Sequence, residues 1–311
     1  MRKPRVAVLA GGLSFEREVS LRSGQRVAQL LQERGYEVSS LDVDQEMPRH
    51  LSSADVAFMA LHGGNGEDGV IQSLLEFLKV PYTGSAVYAS ALAWQKPIAK
   101  GVFEHAGLHT PEFLLLSEAA LRELGARRAL QQVHQVLGLP VVVKPATGGS
   151  ALGVRRIDTP AELPGALLHA MAYSATVMVE RYIEGIELAM PILDGTPLPA
   201  VEIEPLGRTY DYVARYTHGA TRFHLPARLD EEVLARCRDA ALRAWEAIGA
   251  RQIGRVDLIV DSDGMPWVLE FATCPGLTET SVWPLAVDAA GVGFGAAVER
   301  LVHAAVEEPK P

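Results

Sequence analysis

The sequence predicts a protein of mixed α/β and α+β class, in which a doubly wound N-terminal domain precedes two α+β units. Three observations support this class. Short apolar strands alternate with amphipathic helices over residues 1–90, as in parallel sheets covered by helices. A strand at Val141–Pro145 runs into a glycine-rich loop, and a β-hairpin with the turn Asp-Ser-Asp-Gly lies at residues 255–270.

The chain of 311 residues is long enough for two or three domains. We place an N-terminal α/β domain at residues 1–90, a central unit at residues 91–190 and a C-terminal unit at residues 191–311. The composition is 48% hydrophobic and 22% charged, which supports large buried cores and argues against disorder.

In the first domain, strands and helices are expected to alternate along the chain. Strands are predicted at residues 5–10, 38–41 and 56–60, and helices at residues 18–34 and 69–78. Ligands of doubly wound sheets bind at the carboxyl ends of the strands. The loops after the first and third strands are therefore candidate binding segments.

The two later units are expected to be less regular. In the central unit, helices are predicted at residues 92–106 and 121–137, and strands at residues 141–145 and 176–180. In the C-terminal unit, the prediction is a strand at residues 198–204, a helix at residues 231–249 and hairpin strands at residues 255–260 and 267–270.

The charge and the cysteine content disfavour several classes of protein. The net charge is −9 and no basic stripe occurs, which argues against nucleic acid as a partner. The two cysteines, Cys237 and Cys274, are too few for a disulfide framework, and Cys274 is interpreted as a small semi-buried thiol. The sequence has no run of about 18 apolar residues, so no membrane span is expected and the cytoplasm is the predicted compartment.

The segment that follows the strand at Val141–Pro145 is rich in glycine. Residues 143–154 read VKPATGGSALGV. Glycines allow backbone N–H groups to approach phosphate oxygens, and Lys144 supplies a point charge. The Gly-Lys-Ser/Thr of a Walker loop is absent. A phosphate-binding loop and an ordinary glycine-rich hairpin both fit this segment.

Two carboxylates are expected to converge on the C-terminal hairpin. Asp257 and Glu270 lie on antiparallel strands that a short turn connects. Such a pair beside a phosphate loop suits Mg²⁺ that bridges nucleotide phosphates. Arg255 shares a face with Asp257 and is a candidate for stabilising a phosphoryl group or an oxyanion. The alternatives are solvated carboxylates and an ordinary surface arginine.

Three further loops carry candidate binding groups. After the first strand, Glu16 is placed to hold a ligand ammonium group, although an acid at a helix start also interacts with the helix dipole. After the third strand, His62 is a candidate substrate-binding residue, with a structural role as the alternative. In the loop PGLTETS, the N–H of Gly276 is a candidate oxyanion donor, and Ser281 with the backbone after it is a candidate carboxylate site.

Taken together, these motifs resemble those of the D-alanine–D-alanine ligase family. The resemblance covers nearly the whole chain and preserves the order of the family's motifs. The matching segments are HGGNGEDGVIQ at 62–72, PYTGS at 81–85, YDYVARY at 210–216, GRVD at 254–257, and LE through PGLT at 269–278. The resemblance implies an ATP-grasp fold, with residues 91–190 and 191–311 as its two subdomains, preceded by an N-terminal domain that binds substrate.

The resemblance also implies a role for each candidate residue. The amino group of the first D-alanine would be oriented by a hydrogen-bonded triad of Glu16, Ser150 and Tyr216. Nucleotide phosphates would be held by Lys96, Lys144 and Arg215. The side chain of Glu180 and the backbone of Arg181 and Ile183 would contact the adenine. The side chain of Glu187 would bind the ribose hydroxyls. The remaining roles are Mg²⁺ (or Mn²⁺) ligands at Asp257 and Glu270, oxyanion donors at Arg255 and Gly276, and a carboxylate site at Ser281 and Val282.

The implied reaction has two steps. The carboxylate of one D-alanine attacks the γ-phosphate of ATP, which gives an acyl phosphate and ADP. The amine of a second D-alanine then displaces phosphate and forms D-alanyl-D-alanine for peptidoglycan precursors. Because an acyl phosphate hydrolyses readily, a loop at residues 210–221 is expected to close over the site. The resemblance further implies a homodimer.

The sequence departs from the family pattern near the nucleotide and the metal. The four differing positions are Gln95, Ala151, Arg215 and Ala272. Ala272 stands where the family's asparagine binds a second Mg²⁺, and alanine has no donor atom. These changes predict weaker nucleotide turnover with the amino-acid pocket retained. Two alternatives stay open: a related ligase with a different acceptor, and a weakly active relative that binds nucleotide or a D-amino acid.

Overall fold

The computed structural model describes residues 2–124, 126–207, 210, 212–217 and 219–307. Its N-terminal part contains a three-stranded parallel sheet in the order β2-β1-β3, which confirms the predicted parallel sheet. The elements are β1 (Val6–Leu9), α1 (Arg17–Glu33), β2 (Val38–Leu41), α2 (Met47–Leu51), β3 (Val56–Met59) and α3 (Val70–Phe77). Every residue of β1 and β3 is buried, as expected of parallel strands that are covered on both faces.

The helix predicted at residues 92–106 is divided in two at Gln95. That residue leaves the helical region, with φ −88° and ψ 87°. Pro97 follows in the first turn of the second helix, where the missing N–H of proline costs no hydrogen bond. The two helices are α4 (Val87–Trp94) and α5 (Lys96–His105).

A four-stranded antiparallel sheet in the order β4-β7-β5-β6 forms the central part. Its strands are β4 (Phe113–Ser117), β5 (Val141–Pro145), β6 (Arg155–Ile157) and β7 (Thr176–Arg181). The accompanying helices are α6 (Glu118–Leu124), α7 (Ala126–Val136) and α8 (Leu163–Met171), with a 3₁₀ turn at Pro160–Glu162. The helix predicted at residues 121–137 corresponds to α6 and α7, and residue 125 between them lies outside the described residues. The sequence predicts β5 and β7 but not β4 and β6.

A six-stranded antiparallel sheet dominates the C-terminal part. Its strands are β8 (Ile186–Leu193), β9 (Thr196–Pro197), β10 (Val201–Pro205), β11 (Thr221–His224), β12 (Ile253–Val260) and β13 (Pro266–Ala272), with the helices α9 (Tyr212–Tyr216) and α10 (Glu231–Ile248). The order is β11-β10-β8-β12-β13, and β9 pairs with β8. The predicted hairpin is confirmed, because β12 and β13 pair directly. The central strand β8 is not predicted by the sequence.

The chain ends with two helices that return to the N-terminal sheet, α11 (Val282–Ala289) and α12 (Phe294–Glu307). One hydrophobic core joins these helices, the parallel sheet and the six-stranded sheet. Trp283 is fully buried in this core, and its indole Nε1 donates to the carbonyl oxygen of Ile192 in β8 at 3.2 Å. The division into three domains stays a prediction, and its boundary after residue 190 falls inside β8.

Among the helices in the described part of the chain, none combines the length and the apolar character that a membrane crossing needs.

Candidate active site

Strand β5 delivers Lys144 to a buried group of charges below the glycine-rich loop. The ammonium group of Lys144 contacts the Glu180 carboxylate, which lies on the neighbouring strand β7. A second lysine, Lys100 of α5, contacts the same carboxylate at 2.9 Å. Burial raises the pKa of Glu180, but the two lysines lower it by more, so the carboxyl group titrates below its ordinary value. Glu180 is therefore ionised and shared between two cations.

Asp257 and Glu270 lie directly opposite each other on β12 and β13, as the sequence predicts. The Arg255 guanidinium binds Asp257 through two contacts, Nε to Oδ1 at 2.6 Å and Nη2 to Oδ2 at 2.7 Å. Lys96 Nζ lies 3.0 Å from Glu270 Oε2. Burial raises the pKa of Glu270, but Lys96 and neighbouring cations lower it far below its ordinary value. Glu270 is consequently ionised, and the Asp257 carboxylate is held in an ion pair with Arg255.

Arg215 and Glu187 extend this group of charges. The Arg215 guanidinium lies over the Tyr210 ring at 4.4 Å, and among the described residues its buried Nε has no hydrogen-bond partner. Burial raises the pKa of Glu187 to about 7, Asp257 adds to the rise, and Arg215 opposes it. Tyr216, the predicted third member of the triad, belongs to α9, but its side chain lies outside the described residues.

Glu16 and Ser150 are brought together from the N-terminal loop and the glycine-rich loop, as the resemblance implies. The Ser150 hydroxyl donates to Glu16 Oε1. Burial raises the pKa of Glu16 to about 7, Glu67 raises it further, and Ser150 opposes the rise. Ser150 and Ala151 have φ of 50° and 54°, so two consecutive side chains occupy the left-handed region. This tight turn carries the Ser150 hydroxyl onto Glu16.

His62 lies beside Glu16 and is buried. Its Nε2 is 2.8 Å from the Ser23 hydroxyl, and its Nδ1 is 3.8 Å from Glu67 Oε1. Burial lowers the pKa of His62, whereas Cys274 and Glu67 raise it by more, to about 10. Cys274 is buried, and so is more enclosed than the semi-buried thiol that the sequence predicts.

The loop between β13 and α11 holds the predicted oxyanion and carboxylate groups. A Cβ atom on Gly276 would lie 2.7 Å from the Ser281 hydroxyl oxygen, so a side chain there would displace that hydroxyl. Ser281 accepts a hydrogen bond from the N–H of Thr278 at 3.1 Å and contacts its hydroxyl at 2.8 Å. Val282 is the first residue of α11, and its N–H therefore belongs to the unsatisfied donors of a helix start.

Two adjoining cavities contain every predicted site residue whose side chain is described. The larger, about 440 Å³, is lined by the predicted nucleotide and metal residues Lys96, Lys144, Glu180, Arg181, Ile183, Glu187, Arg215, Asp257 and Glu270. The smaller, about 80 Å³, is lined by the predicted substrate and catalytic residues Glu16, His62, Ser150, Arg255, Gly276, Ser281 and Val282. Lys96, Arg215 and Glu270 line both cavities. The functional roles of these residues stay predictions.

The arrangement can place a large phosphorylated ligand next to a small zwitterionic one. Cations and glycine N–H groups face the larger cavity, while a carboxylate, a guanidinium and a helix start face the smaller cavity. The shared wall at Lys96, Arg215 and Glu270 is where groups from both ligands would meet. Such a geometry suits transfer of a phosphoryl group between them.

Sequence reasoning missed several residues of the site. Lys100, Tyr210 and Glu67 contact predicted site residues but have no predicted role of their own. Lys100 follows Lys96 by four positions on one helix, which places both on the same face, and this spacing was the available signal. Glu67 lies within the motif HGGNGEDG, where its side-chain direction depends on the loop conformation.

Among the described residues, no group of three or more His, Cys, Asp or Glu side chains is arranged to hold a metal ion. Asp257 and Glu270 form a pair, and Ala272, directly opposite Arg255, contributes no donor atom. The pair still fits Mg²⁺ or Mn²⁺, because hard carboxylate oxygens are the donors that these ions prefer and phosphate and water oxygens commonly complete their coordination.

Comparison with known proteins agrees with this geometry. The family model described as D-ala D-ala ligase C-terminus matches residues 102–303, and the one described as D-ala D-ala ligase N-terminus matches residues 44–85. A D-alanine–D-alanine ligase of Anaeromyxobacter sp. (strain Fw109-5) is 43% identical over 303 residues, which are 97% of this chain and 96% of the relative. The ligase of Desulforudis audaxviator (strain MP104C) is 45% identical, over 97% of this chain and 99% of the relative.

Solved structures give the same result. The crystal structure of D-alanine–D-alanine ligase from Bacillus anthracis is 32% identical and superposes with a TM-score of 0.85 over 97% of each chain. By fold, the chain is therefore an ATP-grasp protein with an N-terminal parallel sheet. The matches of sequence and structure extend over almost its whole length, and the chain belongs to the D-alanine–D-alanine ligase family.

Proposed function

We propose that this protein joins two D-alanine molecules to D-alanyl-D-alanine at the expense of ATP, in the cytoplasm, to supply peptidoglycan precursors. The observation that carries the proposal is the pair of adjoining cavities. One is large enough for a nucleotide and lined by cations, and the other is small and lined by groups suited to an amino acid. Membership of the D-alanine–D-alanine ligase family supports the same conclusion.

The larger cavity is the proposed ATP site. A Bacillus anthracis D-alanine–D-alanine ligase that is 29% identical over 98% of this chain has been solved in complex with ATP. In this chain, Lys96, Lys144 and Arg215 would hold the phosphates, and the glycine-rich loop would approach them with its N–H groups. Glu180 would accept a hydrogen bond from the adenine amino group, and Glu187 would bind the ribose hydroxyls.

The smaller cavity is the proposed site for both D-alanines. The ionised carboxylate of Glu16 would pair with the ammonium group of the first, held in place by the Ser150 hydroxyl. The hydroxyl of Ser281 and the N–H of Val282 would bind the carboxylate of the second. These contacts would align the first carboxylate with the γ-phosphate and the second amine with the first carboxyl carbon.

The chemistry then follows in two balanced steps. A carboxylate oxygen of the first D-alanine forms a bond to the γ-phosphorus, and the bond from that phosphorus to the β,γ-bridging oxygen breaks to release ADP. The amine of the second D-alanine attacks the acyl carbon, and the tetrahedral oxyanion lies near Arg255 and the Gly276 N–H. Collapse of this tetrahedral intermediate expels inorganic phosphate, and the amine proton passes to phosphate or to solvent.

Asp257 and Glu270 are the proposed ligands of Mg²⁺ (or Mn²⁺). The metal, when bound, supplies charge that neutralises the nucleotide phosphates. In the structure Lys96 forms an ion pair with Glu270 and Arg255 forms one with Asp257.

The test of the proposed function is a product assay. The enzyme is incubated with ATP, Mg²⁺ and a panel of D- and L-amino acids and D-lactate, and products are identified by mass spectrometry. D-Alanyl-D-alanine is the expected product, and it should be lost in Lys144→Met but not in the surface variant Lys3→Met. Phosphate release without dipeptide, or a different product, would refute the proposal.

A weakly active relative that binds nucleotide or a D-amino acid is the second candidate, and Ala272 is the observation that favours it. The same assay separates the candidates, because such a relative would bind ADP without forming dipeptide at a useful rate. A mixed product such as D-alanyl-D-lactate would instead indicate a ligase with a different acceptor.

Ala272→Asn is expected to improve nucleotide turnover. An asparagine opposite Arg255 would add an oxygen donor beside Asp257 and Glu270. We expect kcat/KM for ATP to rise by up to about tenfold, which corresponds to about 1.4 kcal/mol. A Mg²⁺ titration of phosphate release checks this, and half-maximal activity should require less Mg²⁺. Ala272→Leu, which adds bulk without a donor, is the control, and equal behaviour of the two variants would contradict the prediction.

Binding of the first D-alanine is expected to depend on pH through Glu16. Its pKa is about 7, and the substrate ammonium group binds the ionised form. The KM for this D-alanine should therefore rise as pH falls below 7, by up to about tenfold per pH unit, and level off above 7. Steady-state kinetics from pH 5.5 to 8.5 measure it, with the KM for ATP followed in parallel because Glu187 has a similar pKa. An unchanged profile in Glu16→Gln would show that another group is responsible.

We infer that the protein is a homodimer and that an apolar face on α3 and α4 forms the contact. Val70, Phe77 and Tyr88 are 53%, 82% and 85% exposed. Val70 and Phe77 are seven positions apart and share one face of α3, while Tyr88 is on α4, which packs against the start of α3 at Gly69. Large exposed apolar patches usually mark interaction sites.

Tyr88→Arg is expected to convert the dimer to a monomer, because a charge would be buried without a partner. Light scattering coupled to size-exclusion chromatography measures the mass. Leu168→Arg, at a position 73% exposed on α8, is the matched control and should stay dimeric. A dimeric Tyr88→Arg would exclude this face, and a monomeric wild type would exclude the dimer.

A further inference from the structure

Lys100 is a buried lysine behind the larger cavity and lines neither of the two cavities. It lies in the second turn of α5, and its side chain is fully buried. Its Nζ is 2.9 Å from Glu180 Oε2 and 5.4 Å from the centre of the Phe113 ring. An ammonium group is costly to bury without a counter-charge, so this side chain requires the Glu180 carboxylate.

The Lys100–Glu180–Lys144 group contains two cations and one carboxylate. Lys144 lines the cavity and contacts Glu180 Oε1, whereas Lys100 reaches Oε2 from the protein interior. Burial lowers the pKa of Lys100 to about 8, Lys144 lowers it further, and Glu180 opposes both. Lys144 is the member of this group that faces the larger cavity, so a ligand anion there would balance the second positive charge.

We propose that Lys100 is a positioning residue for nucleotide binding: it supplies the counter-charge of Glu180 from the protein interior, which leaves Lys144 free to pair with nucleotide phosphate. The proposal rests on the proposed nucleotide site. It assigns Lys100 no contact with ATP. Lys100 acts through Glu180, whose remaining oxygen lone pairs then stay directed at the base.

Removal of Lys100 has a definite consequence for charge. Among the described residues, Lys144 then becomes the only cation in contact with Glu180, and phosphate competes with this buried carboxylate for one ammonium group. Nucleotide binding would leave Glu180 uncompensated, or Lys144 would stay on Glu180 and be lost to the phosphate. In either case the affinity for nucleotide falls, while the amino-acid cavity is unchanged.

The experiment measures ADP binding by calorimetry in Lys100→Met, a variant of similar length without charge. We expect the dissociation constant of ADP to rise by about 10- to 100-fold, as for loss of one charge-assisted hydrogen bond. The KM for ATP should rise in parallel, with little change in the KM for D-alanine. Phe103→Leu, at a fully buried position of α5, is the control for altered packing of the helix.

A purely structural lysine would lower the melting temperature without changing the affinity of the folded protein. ADP binding within twofold of wild type in Lys100→Met would therefore overturn the proposal. The double variant Lys100→Met/Glu180→Gln keeps the test valid if Lys100→Met does not fold, because it removes both charges. It should bind ADP as Glu180→Gln does, and a further tenfold loss would overturn the proposal.

The result of the Lys100 experiment can be distinguished from the result of the product assay that tests the proposed function. A wild type that binds ADP but makes no dipeptide would refute the ligase activity and leave the role of Lys100 open to the same binding test. Dipeptide synthesis by the wild type, together with normal ADP binding by Lys100→Met, would refute the role of Lys100 alone.

Discussion

Arg255→Met is expected to lower kcat by about 10²–10³-fold, the usual effect of removing one oxyanion donor. Arg255 lines the smaller cavity and is held rigidly by its two contacts with Asp257 at 2.6 and 2.7 Å. A donor fixed in this way needs no reorganisation when negative charge develops on the acyl carbon's oxygen. The KM values should change much less than kcat, because the charge develops mainly in the transition state.

Dipeptide formation under saturating substrates measures this effect. Arg255→Lys is the matched variant, because it keeps a charge but lacks the planar fork that binds Asp257 in two places. It should recover only part of the activity. Wild-type kcat in Arg255→Met would remove Arg255 from the mechanism, and full recovery in Arg255→Lys would mean that charge alone suffices.

Trp283→Ala is expected to destabilise the protein by about 3–5 kcal/mol, the range for truncating a fully buried aromatic side chain. Trp283 is 0% exposed and packs where α11, the parallel sheet and the six-stranded sheet meet. Its loss would also release the hydrogen bond to Ile192 and loosen the start of α11, which carries Ser281 and Val282. We therefore expect a higher KM for the second D-alanine as well.

Urea unfolding followed by circular dichroism measures the stability. Trp267→Ala is the matched control, since Trp267 lies at the edge of the hairpin, is only half-buried and donates its Nε1 to Asp261. Trp267→Ala should lower the free energy of unfolding clearly less than Trp283→Ala does. An equal loss of unfolding free energy in the two variants would mean that the core around Trp283 does not hold the parallel sheet and the six-stranded sheet together.

The elements that the sequence predicts well are those whose pattern is local. Strand β1 is a short apolar run two residues before Gly11, β5 is a short run that ends at Pro145, and the hairpin of β12 and β13 contains its own turn signal. Strand β8 is not predicted, because its sequence IELAMPIL lacks alternation and contains Pro191. It exists because long-range pairing with β10 and β12 supplies its hydrogen bonds.

The same distinction applies to the site. Glu16 and Ser150 are 134 positions apart in sequence, and their contact was expected only through the family resemblance. Lys100 has no motif of its own, since its role depends on which buried carboxylate faces α5. Spacing on a helix can place a lysine on the inner face, but it cannot identify the partner that packs against that face from another strand.

The central claim is that the carboxylate of one D-alanine becomes an acyl phosphate in the smaller cavity before the peptide bond forms. The most direct measurement uses D-alanine labelled with ¹⁸O in its carboxylate, with mass spectrometry of the phosphate released during synthesis. An acyl phosphate requires one labelled oxygen to pass into phosphate for every dipeptide formed. Dipeptide accompanied by unlabelled phosphate would contradict the claim.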